Sequence, residues 1–387
     1  MISVDEALGL LTQHRPDWGT QSLPLHEVKG HILAQDITAP FNHPSASVSV
    51  MDGYAFSAGE GDKRLTLIGE SRAGEPFNGI VNKGQAVRIF TGALLPRGAD
   101  TVEMQENAVT DEDGYVSFTS LSTHRNFVRK AGADFTKGDV LFRAGETVTP
   151  AMILGLATCN LDSINIQRKP VVALLSSGDE LKPVGSILGK SHIVNSISPA
   201  LSALLNDWGV TVINLGIAKD TSSDIRAKLE TCKADIIVPI GAASVGDYDL
   251  MQPVAKALDF TPIFSKIAVK PGKPTWFSKR GHQSILGLPG NPSSAWVCAH
   301  IFLKHLILGP QNRESARAAQ DIPANGKRES YLRGKILDNG RVTIMTRQDS
   351  GLVTPLSYAD ALIRRPVNGP ALAAGDSIEI IKFNGFT

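Results

Sequence analysis

Two closely spaced lysines, Lys270 and Lys273, and two aspartates, Asp247 and Asp249, fall in loops otherwise made of Gly, Pro, Ser and Ala. Backbone N–H groups left open by small residues, with ammonium groups beside them, suit a phosphorylated or otherwise anionic ligand. Carboxylates in the same place would hold a hard cation such as Mg2+. The chemistry that this combination supports is binding of a metal-bridged phosphate ester. Each loop follows a β-type apolar run: Ile236–Ile240 before GAASVGDYDL, Ile267–Val269 before KPGKP, and Ile285–Leu288 before PGNPSS. An α/β domain places loops in this way at the carboxyl ends of its strands, where ligands bind.

The same arrangement recurs upstream. The run VVALL leads into SSGDEL, which puts Gly178, Asp179 and Glu180 in a strand-end loop, although Asp179 and Glu180 would serve equally to cap the next segment. Asp220 ends the following strand just before Thr221, which with Asp224 makes a helix-capping pattern. Taken singly these acids read as helix-start chemistry; taken together, after successive parallel strands, they open on one edge of a sheet. In the amino-terminal half, Asp52-Gly53-Tyr54 follows a β-like alternation. Gly53 reads as a backbone turn that leaves the Asp52 carboxylate exposed, and on its own the pair is a hairpin turn. Thr91-Gly92-Ala93 offers a hydroxyl before a glycine at a strand end, and Asp134 follows the small-residue turn Ala131-Gly132-Ala133; alone, each has a structural reading. A helix over 292–308, with Asn291 as its cap and Pro292 in its first turn, points its amino end at LPGNPSS and favours an anion there.

The elements that must position these residues form an α/β and β multidomain chain. A short amphipathic helix over 3–11 carries a capping box of Ser3 and Glu6. Residues 23–40 read as a helix and strand of a scaffold, 65–142 as short β runs in a β-rich insert, and 148–157 as a helix packed in a core. From Lys169 a β-loop-α alternation predicts a doubly wound parallel sheet, with helices over 198–208 and 221–233. A polar linker over 310–328 leads to a final unit of β runs (YLRGKIL, RVTIMTR, DALIRRP, DSIEIIKF) that reads as a small antiparallel barrel or sheet.

At 387 residues the chain exceeds one ordinary core, so several domains are expected. A net charge of +1 argues against a nucleic-acid or membrane surface, so anion binding must be local. The three cysteines, Cys159, Cys232 and Cys298, are far apart in apolar or helical settings, as free thiols in a reducing compartment would be, and show no zinc spacing. The opening MISVDEALGLL has no signal-peptide pattern and no run reaches transmembrane length, so a cytoplasmic location is expected.

MDGYA, RIFTGA with PRGADTV, SSGDEL, SVGDYD, KIAVKPGKP and LPGNPSS, in this order, resemble the molybdopterin molybdenumtransferases over essentially the whole chain. That family includes a bacterial enzyme of molybdenum cofactor synthesis and the carboxyl-terminal domain of gephyrin. The resemblance implies a scaffold and dimerisation domain from 1–40 plus 140–166, and an inserted β-rich domain over 41–139. It further implies a molybdopterin-binding α/β domain over 167–310 and a carboxyl-terminal β-barrel over 318–387. It implies a homodimer with each active site between the α/β domain of one subunit and the inserted domain of the other. The implied reaction takes adenylylated molybdopterin and molybdate, cleaves the pyrophosphate link with Mg2+ and releases AMP with the molybdenum cofactor. An adenylyltransferase would act upstream, and molybdoenzymes or their chaperones downstream.

Carried over by residue, the resemblance gives Asp52, Thr91 and Asp134 as the positions reaching in from the inserted domain. Glu180, Asp220 and Asp249 are the acids of the α/β crevice, with Asp134 as a further metal ligand. Lys266, Lys270 and Lys273 are the basic positions. Gly178, Asp179, Ser244, Gly246, Pro289 and Pro292 shape the ligand loops, and Ser294, Arg333 and Ser350 are assigned oxyanion contacts. Two residues depart from the family pattern: Ala242 stands where a second glycine is usual, and Ala133 where Glu often precedes Asp134. The competing reading is a non-catalytic molybdopterin-binding or scaffold homologue; retention of the main acids and lysines favours the enzyme.

Overall fold

The computed structural model describes residues 1–122, 126–241 and 250–383. The chain divides into two compact units, Gly19–Gln167 and Met1–Trp18 with Arg168–Thr387.

In the first unit a six-stranded sheet runs in the order Thr101–Met104, Gly53–Phe56, Gln85–Ile89, Leu65–Ser71, Tyr115–Phe118, Ala108–Thr110. Residues alternate between its faces: Tyr54 and Phe56 join Leu65, Ala86 and Val116, whereas Ala55 joins Ile89, Ala93 and Val102. Gly53 is not a turn. It opens a strand, in register with Ile89 on one side and Met104 on the other. A Cβ there would stand 1.9 Å from the Glu103 carbonyl oxygen, so close backbone approach is what requires glycine.

The same unit pairs Thr20–Pro24 with Ser163–Gln167 over a core that includes Val28, Leu33, Leu156 and Ile166. The helix expected within 23–40 does not form. Pro24 and Gly30 interrupt the segment, and its N–H groups find partners elsewhere: Gly30 donates to Val148, Leu33 to Glu146 and Ala34 to Asn165. The helix after Thr149 runs Pro150–Thr158 and is capped by the Thr149 hydroxyl. It packs by one face rather than as core: Leu156 is buried and Leu154 is 72% exposed.

In the second unit the sheet order is Thr211–Ala218, Val171–Ser177, Ile236–Ile240, Gln283–Gly287, Trp276–Arg280, Thr261–Phe264. Its first four strands are parallel; the last two pairings, against expectation, are antiparallel, so Trp276–Arg280 alone runs against the other five. Helices cover both faces. Val172 and Leu174 pack with Leu201 and Phe302, and Ala173 and Leu175 with Ile225 and Val254. Ser3 and Glu6 form the expected capping box of the opening helix, Val4–His14. That helix buries Val4, Ala7 and Leu11 in the same core as Leu201 and Phe302. The helix after Asn291 includes a π-helical turn, Ala299–Leu303, and the Asn291 side chain makes no capping bond.

The presumed linker contains a strand, Glu314–Arg317, paired antiparallel with Ser377–Lys382. It belongs to a sheet ordered Val269–Lys270, Glu329–Ile336, Ala361–Arg365, Ser377–Lys382, Glu314–Arg317, with Val342–Ile344 also on Glu329–Ile336. No helix among the described residues is long and apolar enough to cross a membrane. Gly53→Ala should lower the melting temperature, at a cost of about 1–3 kcal/mol for forcing an extra carbon between packed strands; unchanged thermal unfolding would show that the strands can separate freely.

Candidate active site

The parallel strands deliver their loops to one edge of the sheet. Ser177 pairs with Ala218, Ser176 with Ile240, and Ile240 bridges Leu288, so the segments that follow these residues start side by side. Asp220 is held between the first two: the Ser177 hydroxyl donates to Oδ1 at 2.8 Å and the Asp179 N–H to Oδ2 at 3.3 Å. In return the Asp220 N–H donates to Asp179 Oδ1 at 3.3 Å. The Glu180 carboxylate lies over Gly178, where a Cβ would come within 2.7 Å of both of its oxygens. Glycine at 178 therefore makes room for the acid. A Cβ on Gly241 would meet the Ser177 carbonyl at 2.8 Å, and one on Gly290 would meet Gly241 Cα at 2.9 Å. Residues 242–249, and with them Asp247, Asp249, Ser244, Gly246, Ala242 and Ala243, lie outside the described residues.

Lys270 and Lys273 open on a cavity of about 650 Å³ together with Ser294, Ser350, Arg328 and Ser330. Lys266 and Pro289 are not among its lining residues. The turn that carries the lysines is pinned from beneath. The Thr275 hydroxyl donates to the Gly272 carbonyl at 2.8 Å and lies 3.2 Å from Cys298 Sγ. Gly272 itself passes so near Cys298 that a Cβ would sit 2.2 Å from the sulfur. Burial pushes the Cys298 thiol up to about 12, so it packs as an inert neutral group.

Arg333 is not placed as an oxyanion contact. Its guanidinium is buried and donates to Ser293 Oγ and to the carbonyls of Leu352, Arg347 and Asp349 at 2.8–3.2 Å. It thereby holds the loop that carries Ser350. Arg328, which the sequence reading passed over, is half-buried and lines the cavity instead. Its neighbours Glu329 and Ser330 pair with Val269 and Lys270, and that register brings Arg328 to the lysine cavity. No local sequence signal marks it, because the contact joins segments far apart in the chain.

In the other unit Asp52 Oδ1 accepts from both the Thr91 N–H and the Thr91 hydroxyl, each at 2.8 Å. Arg88 stands close by, donating to the Gly53 carbonyl at 2.9 Å. The Thr91 amide, then its hydroxyl, and more weakly the Arg88 charge hold the Asp52 carboxyl below the usual range. Asp134 lies in a turn tied to the same segment: the Ala131 N–H donates to Ser47 Oγ at 3.4 Å, and the Gly92 N–H donates to the Ser49 carbonyl at 2.8 Å. The Asp134 N–H donates to the His43 carbonyl at 3.0 Å, and its charge adds to burial in raising the Cys159 thiol. Among the described residues no group of three or more His, Cys, Asp or Glu side chains stands close enough to enclose a metal.

A carboxyl depressed on folding adds stability above its unfolded pKa and loses that stability as pH falls through its folded value, so the Asp52 contribution fades below about pH 4. Thr91→Val should move the Asp52 midpoint upward, still below the ordinary value because the amide remains. Carbon-detected NMR titration reads this directly, and an unmoved midpoint would show that the hydroxyl contributes nothing.

Comparison with known proteins places this geometry. Residues 2–160 match the MoeA N-terminal region (domain I and II) and residues 315–383 the MoeA C-terminal region (domain IV). Residues 173–308 match a probable molybdopterin binding domain. The molybdopterin molybdenumtransferase of Haemophilus influenzae is 32% identical, the match covering 99% of both chains. That of Staphylococcus aureus is 28% identical, with 98% of this chain and 95% of the relative covered. The crystal structure of the molybdopterin biosynthesis MoeA protein from Pyrococcus horikoshii superimposes with a TM-score of 0.88 at 27% identity, covering all of both chains. With family regions matched along nearly its whole length and a relative above 30% identity, the chain belongs to the MoeA family of molybdopterin molybdenumtransferases.

Proposed function

We propose that the protein acts in molybdenum cofactor biosynthesis, inserting molybdenum from molybdate into adenylylated molybdopterin with cleavage of the pyrophosphate link and release of AMP. The observation that carries this reading is the pairing of a carboxylate-bearing sheet edge with a separate cationic cavity in the same unit. Asp220, Asp179 and Glu180 gather at the first; Lys270, Lys273 and Arg328 line the second. Molybdate is a dianion and meets a phosphoanhydride only where cations offset the repulsion. The lysine cavity supports that role: Lys270, Lys273 and Arg328 line it, and Ser294 and Ser350 add hydroxyl groups.

The donor set at the sheet edge, carboxylate and hydroxyl oxygens only, fits Mg2+, which needs one or two carboxylates when substrate phosphates and water complete its shell. Glu180 and Asp220 would hold it, with Asp249 or Asp134 as the further ligand. Bound there, it would neutralise charge on the anhydride. Asp220 suits this role because Ser177 and the Asp179 N–H fix its carboxylate and each of its oxygens keeps a lone pair.

A molybdate oxygen, or a water, attacks phosphorus, the anhydride P–O bond breaks, and AMP departs. Positioning and charge neutralisation supply the rate, since phosphoryl transfer asks for little covalent help. Lys270 and Lys273 hold the oxyanion, and Asp52, kept ionised by Thr91, orients substrate across a homodimer interface. The carboxyl-terminal sheet is read as a small barrel, an assignment supported by the Ala318–Val342 bridge between its outer strands.

Glu180→Ala should abolish molybdate-dependent AMP release while leaving melting temperature and oligomeric state unchanged; retained turnover removes Glu180 from the mechanism. Lys270→Ala should raise the Kd for molybdate at least tenfold, a loss of about 1.4 kcal/mol, in equilibrium dialysis. An unaltered Kd would place the oxyanion elsewhere.

A further inference from the structure

The unit that holds the lysine cavity contains another, of about 570 Å³, walled by the opening helix Val4–His14, the helical segment around His300 and the carboxyl-terminal sheet. Its walls are largely apolar: Leu8, Ile301, Tyr331, Ile380 and Ile381. Among the described residues only Tyr331 is shared with the lysine cavity. The charges around this second hollow are unequally answered. Lys382 pairs with Glu314 at 2.7 Å, and Arg313 with Asp5 at 3.4 Å and Glu379 at 3.5 Å. His300 and His305 are buried, and burial pushes both below the ordinary histidine range, His300 to about 4, so both are neutral at about pH 7. Lys304 is the exception. It is half-buried, and its ammonium has no ion-pair partner among the described residues; it stands 5.8 Å from the centre of the Trp208 ring. Burial alone pushes its pKa down.

We propose that this cavity binds a small amphipathic monocarboxylate, its apolar tail against the aliphatic walls and its carboxylate on Lys304. Two costs carried by the fold point to that class. A half-buried ammonium without a counter-charge has given up hydration for nothing in return, and a carboxylate beside it supplies a charge-assisted hydrogen bond. The aliphatic walls are apolar surface facing a hollow, which an alkyl tail covers with a gain for every part removed from water. The charge count selects a monoanion. One cation is unanswered, whereas a phosphate monoester, close to doubly charged at neutral pH, brings a second charge that Arg313 and Lys382 could meet only by leaving their carboxylate partners. Neither the acids of the sheet edge nor Lys270 and Lys273 line this hollow.

The test is calorimetry of the full chain with octanoate, octylammonium and octyl phosphate as probes. Octanoate should bind the unaltered chain at least tenfold more tightly than either of the others. Lys304→Met keeps the apolar stem and removes the charge; Asn312→Trp fills the hollow from an exposed lining position. Each should weaken octanoate at least tenfold, and Asn312→Trp decides alone if the lysine variant does not fold. Lys270→Ala combined with Lys273→Ala should leave octanoate affinity unchanged, which separates this hollow from the lysine cavity. No octanoate binding, equal binding of octylammonium, tighter binding of octyl phosphate, unchanged affinity in a folded Lys304→Met or in Asn312→Trp, or loss of octanoate in the double variant would each overturn the assignment.

Discussion

Close backbone approach at the carboxyl edge of one sheet is the constraint on which the site depends. Gly241 lies against the Ser177 carbonyl and Gly290 against Gly241, so three consecutive parallel strands end without side chains between them. A single Cβ would wedge these loops apart, because packed backbone has no soft direction in which to yield. Glycine is used here for its lack of volume, and Gly178 serves the same end by leaving room for the Glu180 carboxylate. The acids depend on this packing for their mutual placement. Asp220 reaches Ser177 and Asp179 only because their two strands end in register.

Charge is concentrated at two places in this unit. Carboxylates collect after the first two strands, while the cations collect where Val269–Lys270 pairs with Glu329–Ile336 of the carboxyl-terminal sheet. The cationic hollow is also the better braced. Thr275 and Cys298 sit beneath its turn, and buried Arg333 ties down the Ser350 loop through backbone carbonyls. With its two Nη groups committed in this way, the guanidinium contributes shape to the site.

Much of this was legible from local pattern. Helices with a cap and an apolar face formed where expected: Ser3 and Glu6 close their capping box, and Thr149 and Thr221 each accept from the amide three residues on. Buried parallel strands announced themselves as short continuous apolar runs, and acids following several such runs pointed to one edge. Failures arose where pairing partners are distant. Glu314–Arg317 has the polarity of a linker and becomes a strand because Ser377–Lys382 offers it an edge. Residues 23–40 carry helix-compatible apolar residues, yet their N–H groups are satisfied by residues near 146 and 165.

The sequence by itself determined the motifs, their order and hence the family. It also determined which residue types could bear an anion or a cation, since side-chain chemistry and strand-end loops are local properties. The tertiary structure decided which of those residues share a hollow. Arg328, and not Arg333, lines the cationic cavity, and Asp52 is clasped by Thr91. Gly53 proved to be a point of strand contact. Each of these outcomes turns on the register between segments remote in the chain, a quantity that no window of residues encodes.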